Sequence, residues 1–220
     1  MQWGVGALRK ERRELDMCSG PILKGILVFA IPIMIMNLLQ LLFNAADTIV
    51  VGRFNGKEAM AAVGATGSLV NLLVNLFMGL SVGASVVVAQ EYGARSQRGV
   101  TRAVHTAMTL SIIGGLAVTA LGLFLSRPML ELMGTPEDIL DLSSLYLRIY
   151  FIGMPANLVY NFGAAVLRAA GDSRRPMIFL SVSGCVNVAL NLFFVACLDM
   201  SVAGVAWATV ISQYLSALLV

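Results

Sequence analysis

Long apolar runs alternate along the chain with short breaks rich in charge, glycine and proline, and the runs share one length scale. Six of them extend from Lys24 to Val51, Met60 to Gln90, Thr101 to Leu125, Leu142 to Ala170, Pro176 to Leu198 and Ser201 to Val220. A helix needs about 20 mostly apolar residues to cross roughly 30 Å of hydrocarbon, so each run is a candidate span. The pattern predicts an all-α, polytopic membrane protein. Its six-transmembrane-helix bundle occupies residues 24–220 and follows an amino-terminal leader over 1–23. No linker is long enough to introduce a second domain, and no internal repeat is clear enough to defend.

Composition agrees with the pattern. Of 220 residues, 58% are apolar and 12% charged, and the mean hydropathy is +0.85. A soluble domain carries about a quarter charged residues, and disorder needs the opposite balance of apolar and charged residues. Cys18, Cys185 and Cys197 are odd in number and lack paired spacing, so they suggest no redox or metal chemistry.

The net charge of +3 could suggest nucleic acid, but the basic residues sit in clusters between apolar runs rather than along one face. They read instead as topology signals, because short cytoplasmic loops are enriched in Lys and Arg. The leader and first flank hold Arg9, Lys10, Arg12, Arg13 and Lys24. The second loop holds Arg95, Arg98 and Arg102, and the fourth holds Arg168, Arg174 and Arg175. Only Arg53, Lys57 and Arg127 fall on the other side, beside Glu131, Glu137, Asp138 and Asp141. Both termini are expected in the cytoplasm. The leader places its charges after a brief apolar start, the wrong order for a signal peptide. Gly79-x-x-x-Gly83, Gly114-Gly115 and Gly163 are expected to let helices approach closely.

The informative residues are polar groups inside the runs. An Asp at the centre of a membrane helix costs about 2.5–3.5 kcal/mol on insertion scales, and Asp47 is the carboxylate that lies well inside an apolar run. Asn37, Gln40 and Asn44 share its helical face. Ser68, Asn71 and Asn75 repeat this spacing on the second helix, Asn157 and Asn161 on the fourth, and Ser183, Asn187 and Asn191 on the fifth. Several helices are thus expected to turn amides into a common interior, where interhelical hydrogen bonds would account for some of them. By helix rise, Asp47, Asn191 and Thr209 converge in the outer half of the membrane, the latter two about two turns deep. A carboxylate, two carboxamide oxygens and a hydroxyl are hard donors that suit a small hard cation such as sodium. Low dielectric penalises the charged carboxylate, so a proton would serve as well. Pro32 interrupts the first helix and predicts a kink, either static or a hinge.

From about Asp16 onward the chain resembles the amino-terminal half of multidrug and toxic compound extrusion (MATE) transporters. The matching residues are Pro32, Asp47-Thr48 and Gly52-Arg53, AAVGATG from Ala61, AQEYGAR from Ala89, LRAAGDSRRPM from Leu167, NVALN from Asn187, and VAGVAWATVISQ from Val202. The resemblance implies a twelve-helix antiporter of two six-helix lobes in the bacterial inner (plasma) membrane. It would export small cationic or amphipathic compounds in exchange for sodium or protons, with no organic cofactor and no nucleic-acid partner. It also implies an amino-lobe cation site, which falls here on Asp47, Asn187, Asn191 and Thr209. Asn191 stands where family members often have aspartate, a change expected to weaken cation binding. The chain reaches Val220 inside the sixth helix, so the carboxy-terminal lobe is expected either from a gene of about twice this length or from a second copy.

Three other functions compete with this reading. Gly79-Leu80-Ser81-Val82-Gly83 spells a serine-hydrolase elbow, but it lies inside an apolar helix rather than at a strand-to-helix turn, and His105 is expected to flank the membrane. A lipid-linked oligosaccharide flippase should call for buried Arg or Lys. The candidate, Arg148, is better explained by snorkelling to the interface. A truncated, non-transporting membrane protein would be indifferent to Asp47→Asn. Met34, Met36, Phe43 and Met78 are candidates for a hydrophobic drug path, with packing the commoner role.

Overall fold

A computed structural model describes residues 22–220, which are helical apart from short turns. The order is α1 (Ile22–Phe54), α2 (Gly56–Gly93), α3 (Gln97–Leu132), α4 (Glu137–Ile152), α5 (Met154–Ala169), α6 (Arg174–Leu192) and α7 (Ser201–Leu219), and a π-helical turn over Phe193–Cys197 extends α6. α1, α2, α3, α7 and α6 with its π turn are long and apolar enough to cross a membrane. α4 and α5 together form a sixth span, bent by 49°. The leader lies outside the described residues except for Ile22 and Leu23, and so does Cys18.

The spans differ in form from the apolar runs that predict them. α2 has 38 residues and α3 has 36, about 55 Å each by helix rise, so both extend past the hydrocarbon. α3 continues even through Pro128 in its polar end. Ser96 starts α3 by accepting the Gly99 N–H at 3.1 Å, the usual N-cap arrangement.

The fourth run is two helices rather than one. Pro155 has no N–H to offer the Phe151 carbonyl, and in lipid an orphaned carbonyl must find another donor. Thr119 of α3 supplies it, its hydroxyl donating to Phe151 O at 2.7 Å. Tyr214 of α7 donates to the next carbonyl, Ile152 O, at 3.2 Å. The bend is therefore fastened from two neighbouring helices.

Small residues bring α3 against that bend. A Cβ on Gly115 would strike the backbone of Pro155, and one on Gly122 would enter the Phe151 ring. In lipid such close approach replaces the hydrophobic effect as the source of helix association. Gly79 and Gly83 behave differently from expectation. Both are exposed, with nothing within 4 Å of a Cβ, so this pair packs no helix among the described residues.

The packed centre comes from α4, α5 and α7, where Leu147, Phe151, Met154, Leu158, Phe162, Val202, Val205 and Val210 are buried. Large apolar side chains elsewhere point outward, such as Phe124 at 79% and Met34 at 68% exposure, as a lipid-facing surface requires. Arg127 joins the end of α3 to the start of α4 through Asp141 at 2.9 Å, and pairs within α3 with Glu131 at 3.1 Å. Both pairs are exposed and add little stability.

Candidate functional site

A carboxylate within a membrane span needs a partner, and that of Asp47 comes from α6. The Asn191 side-chain amide donates to Asp47 Oδ1 and, one turn away, to Asn187 Oδ1 at 3.3 Å. Asn187 Nδ2 donates to Thr209 Oγ1 of α7 at 3.4 Å, and the Thr209 hydroxyl donates to the Val205 carbonyl at 2.9 Å. Asp47, Asn191, Asn187 and Thr209 thus form one hydrogen-bonded chain across three helices. The i, i+4 spacing of the two asparagines stacks them on one face of α6. Gly184, one turn earlier, lets α6 settle on α1, since a Cβ there would enter the Phe43 ring. Asn191 is fully buried, and its Oδ1 has no hydrogen-bond partner. An unpaired buried acceptor beside a carboxylate is the arrangement a cation would complete. The π-helical turn begins two residues later, and such turns are frequent at functional sites.

Asp47, Asn187 and Thr209 border a cavity of about 360 Å³, with Asn191 buried behind them. Asn37, Gln40 and Asn44 line it from α1, Asn71 from α2, and Asn157 and Asn161 from α5. Asn161 donates to both the carbonyl and the side-chain oxygen of Asn157 at 2.9 Å. Asn75 is not a lining residue and is exposed, contrary to expectation. Val70, Asn71, Val74 and Met78 form the lining stripe on α2, and at 3.6 residues per turn Asn75 falls about 40° past Asn71. Met36, Phe43 and Met78 line the cavity, whereas Met34 faces outward. Pro32 is buried within an unbroken α1.

Several lining residues were not singled out in the sequence. Tyr146 and Tyr150 stack with ring centroids 6.2 Å apart and planes at 22°, both buried and both at the cavity wall. Their i, i+4 spacing was legible. So was the stripe Thr209, Gln213, Ser216 on α7, of which only Thr209 was read. Gln213 packs its side-chain oxygen against Gly153 at the α4–α5 bend, and that oxygen is also without a partner. Arg168, counted in the sequence as a loop charge, lines the cavity too, while Arg148 is exposed. Ser81 is buried in mid-α2 with its hydroxyl donating to the Met78 carbonyl at 2.7 Å, and His105 is exposed on α3.

Six membrane spans, five of which turn amides, hydroxyls, a carboxylate and a guanidinium onto one cavity, have the form of a lobe of a membrane transporter. The chain belongs to the multidrug and toxic compound extrusion family, whose model, MatE, matches residues 32–193. It is similar to the probable multidrug resistance protein YpnP of Bacillus subtilis (strain 168), with 32% identity over 201 residues that cover 91% of this chain and 45% of that protein. Among solved structures it resembles a MATE transporter in the bent conformation, with a TM-score of 0.87, 30% identity, and coverage of 94% of this chain and 46% of that one. A MATE family transporter in an outward-facing conformation gives a TM-score of 0.86 at the same identity and coverage. The chain spans about 45% of the length of the relatives it matches.

Proposed function

We propose that this chain forms the amino-terminal lobe of an antiporter that exports cationic or amphipathic compounds against sodium or proton entry. The second lobe is supplied by further sequence or by another copy. The observation that carries this reading is the hydrogen-bonded chain Asp47–Asn191–Asn187–Thr209, whose Asp47, Asn187 and Thr209 line the cavity, with the buried Asn191 carboxamide oxygen unpaired. The Asn191 amide compensates the charged carboxylate of Asp47. An arriving sodium ion requires oxygen donors, so the amide turns and presents Oδ1 to the ion with Asp47, Asn187 and Thr209. A proton on Asp47 weakens the same hydrogen bond, because the Asn191 amide then meets a neutral acceptor oxygen instead of a charged one. Either ion loosens the α1–α6 contact and lets α1 move about Pro32. The side that carries Arg95, Arg98, Arg102, Arg174 and Arg175 is cytoplasmic in this reading.

The test is ion-driven efflux by the protein as the host cell makes it, reconstituted in vesicles. Asp47→Asn is expected to abolish coupled efflux while the protein stays folded in the membrane. Coupled efflux preserved in that variant at equal expression would contradict the role assigned to Asp47.

A further inference from the structure

Arg168 and Asp47 are the guanidinium and the carboxylate among the side chains that line the cavity, and they stand toward opposite ends of it. Gly153, at the start of α5, lies against Gln213 of α7, and Gly163 of α5 lies against Val220 at the end of α7, so α5 and α7 run side by side in the same direction. The Asp47 cluster is tied to Thr209, near the start of that shared stretch, whereas Arg168 is in the last turn of α5. Cα–Cβ bonds in a helix tilt toward its N-terminus, which turns the Arg168 side chain back along the cavity rather than away from it.

The Arg168 guanidinium has no ion pair among the described residues. Asp172, the carboxylate nearest in sequence, accepts from the N–H groups of Arg174 and Arg175 at 3.1 Å and pairs with the Arg175 side chain at 3.1 Å. The hydroxyl of Tyr160, which also lines the cavity, is engaged as a donor to the Pro176 carbonyl at 3.0 Å. A guanidinium carries five donors in a planar fork that matches carboxylate and phosphate, and this one, partly withdrawn from solvent, is set to pair with an anion.

We propose that Arg168 is a second subsite of the cavity, one that takes the carboxylate or phosphate group of a small amphiphile. The inference deepens the transport reading and rests on it. It replaces a purely cationic substrate with one whose acidic group meets Arg168 while its basic or aromatic part lies toward Asp47. Val220 is eleven residues past Thr209 and lies against Gly163, five residues before Arg168, so the two ends are about 24 Å apart by helix rise at the backbone, and the Arg168 side chain turns part of the way back. An elongated amphiphile anchored at Arg168 points along the cavity toward Asp47.

The experiment compares two fluorescent aromatic amines that differ in one group, a free carboxylate or its methyl ester. Binding is measured to the full-length protein in vesicles, as wild type, Arg168→Gln and Arg168→Lys. Arg168→Gln is expected to weaken the carboxylate probe about tenfold or more and to leave the ester within about twofold, with partial recovery in Arg168→Lys. Equal weakening of both probes, or of neither, overturns the subsite. Ion-driven efflux of the ester then tells the two readings apart, since its persistence leaves the antiporter standing without the subsite. Vesicles of phosphatidylcholine with and without phosphatidylglycerol identify the source of the anion. Competition by phosphatidylglycerol that disappears in Arg168→Gln assigns the same subsite to a lipid phosphate, and absence of competition assigns it to a soluble ligand. Failure of the wild type to bind either probe overturns both readings.

Discussion

Asn191 of α6 donates its side-chain amide to the carboxylate of Asp47 in α1, 144 positions away in the chain. The amide is also held by Asn187, so the two asparagines act on Asp47 as a pair.

Removal of that donor should be costly. Asn191→Ala leaves a carboxylate in a membrane span without its partner, and hydrogen bonds to charged groups are worth about 1.5–3 kcal/mol. Thermal unfolding in detergent should show a clear loss of stability. Asn191→Asp keeps the shape but places a second carboxylate beside the first, so its melting temperature should rise more steeply with sodium concentration than that of the wild type. Equal salt dependence in the two proteins would count against a cation at this position.

The α4–α5 bend gives a second prediction, because its two freed carbonyls have separate donors. Thr119→Val and Tyr214→Phe should each lose about 0.5–1.5 kcal/mol, read as lower midpoints in the same unfolding assay. Unchanged midpoints in both would mean that the carbonyls of Phe151 and Ile152 need no protein donor.

Helix packing gives a third. Gly115→Val and Gly122→Val drive side-chain atoms into Pro155 and Phe151, so neither variant should give a monodisperse protein on size-exclusion chromatography. Gly79→Ala and Gly83→Ala meet open space and should behave as wild type. A folded Gly122→Val protein would show that α3 can move away from the bend.

The hinge role proposed for Pro32 gives a fourth prediction. Pro32→Ala restores an N–H to the α1 ladder and should preserve fold and substrate binding while slowing ion-driven efflux at least about fivefold, a loss of about 1 kcal/mol in the moving step. A variant with unchanged efflux would reduce Pro32 to a static feature.

The spans and the Asp47 neighbourhood were legible because lipid makes both conspicuous. An apolar run long enough to cross has few alternatives, and a lone carboxylate within it stands out. Asn187, Asn191 and Thr209 could be grouped with it because helix rise converts sequence position into depth. Hydropathy could not show the break at Gly153, because two short apolar helices and one long one have the same composition. Pro155 was the available signal. Arg168 was missed for a different reason. Charge counting treats an arginine at a helix end as a loop residue, whereas the direction of its side chain depends on which way the helix runs. Asn75 was over-read because spacings of three and four drift around a helix, and the stripe leaves the cavity after Asn71.

The central claim is that substrate and coupling ion communicate through Asp47, and linkage makes this measurable at equilibrium. The dissociation constant of a fluorescent amphiphile would be measured in vesicles with and without saturating sodium, and at two pH values, for wild type and Asp47→Asn. The account predicts that one of the two ions shifts wild-type affinity at least about fivefold, the lower range of ordinary coupling free energies, and that the shift disappears in Asp47→Asn. The same shift in both proteins would place the coupling elsewhere and contradict the account.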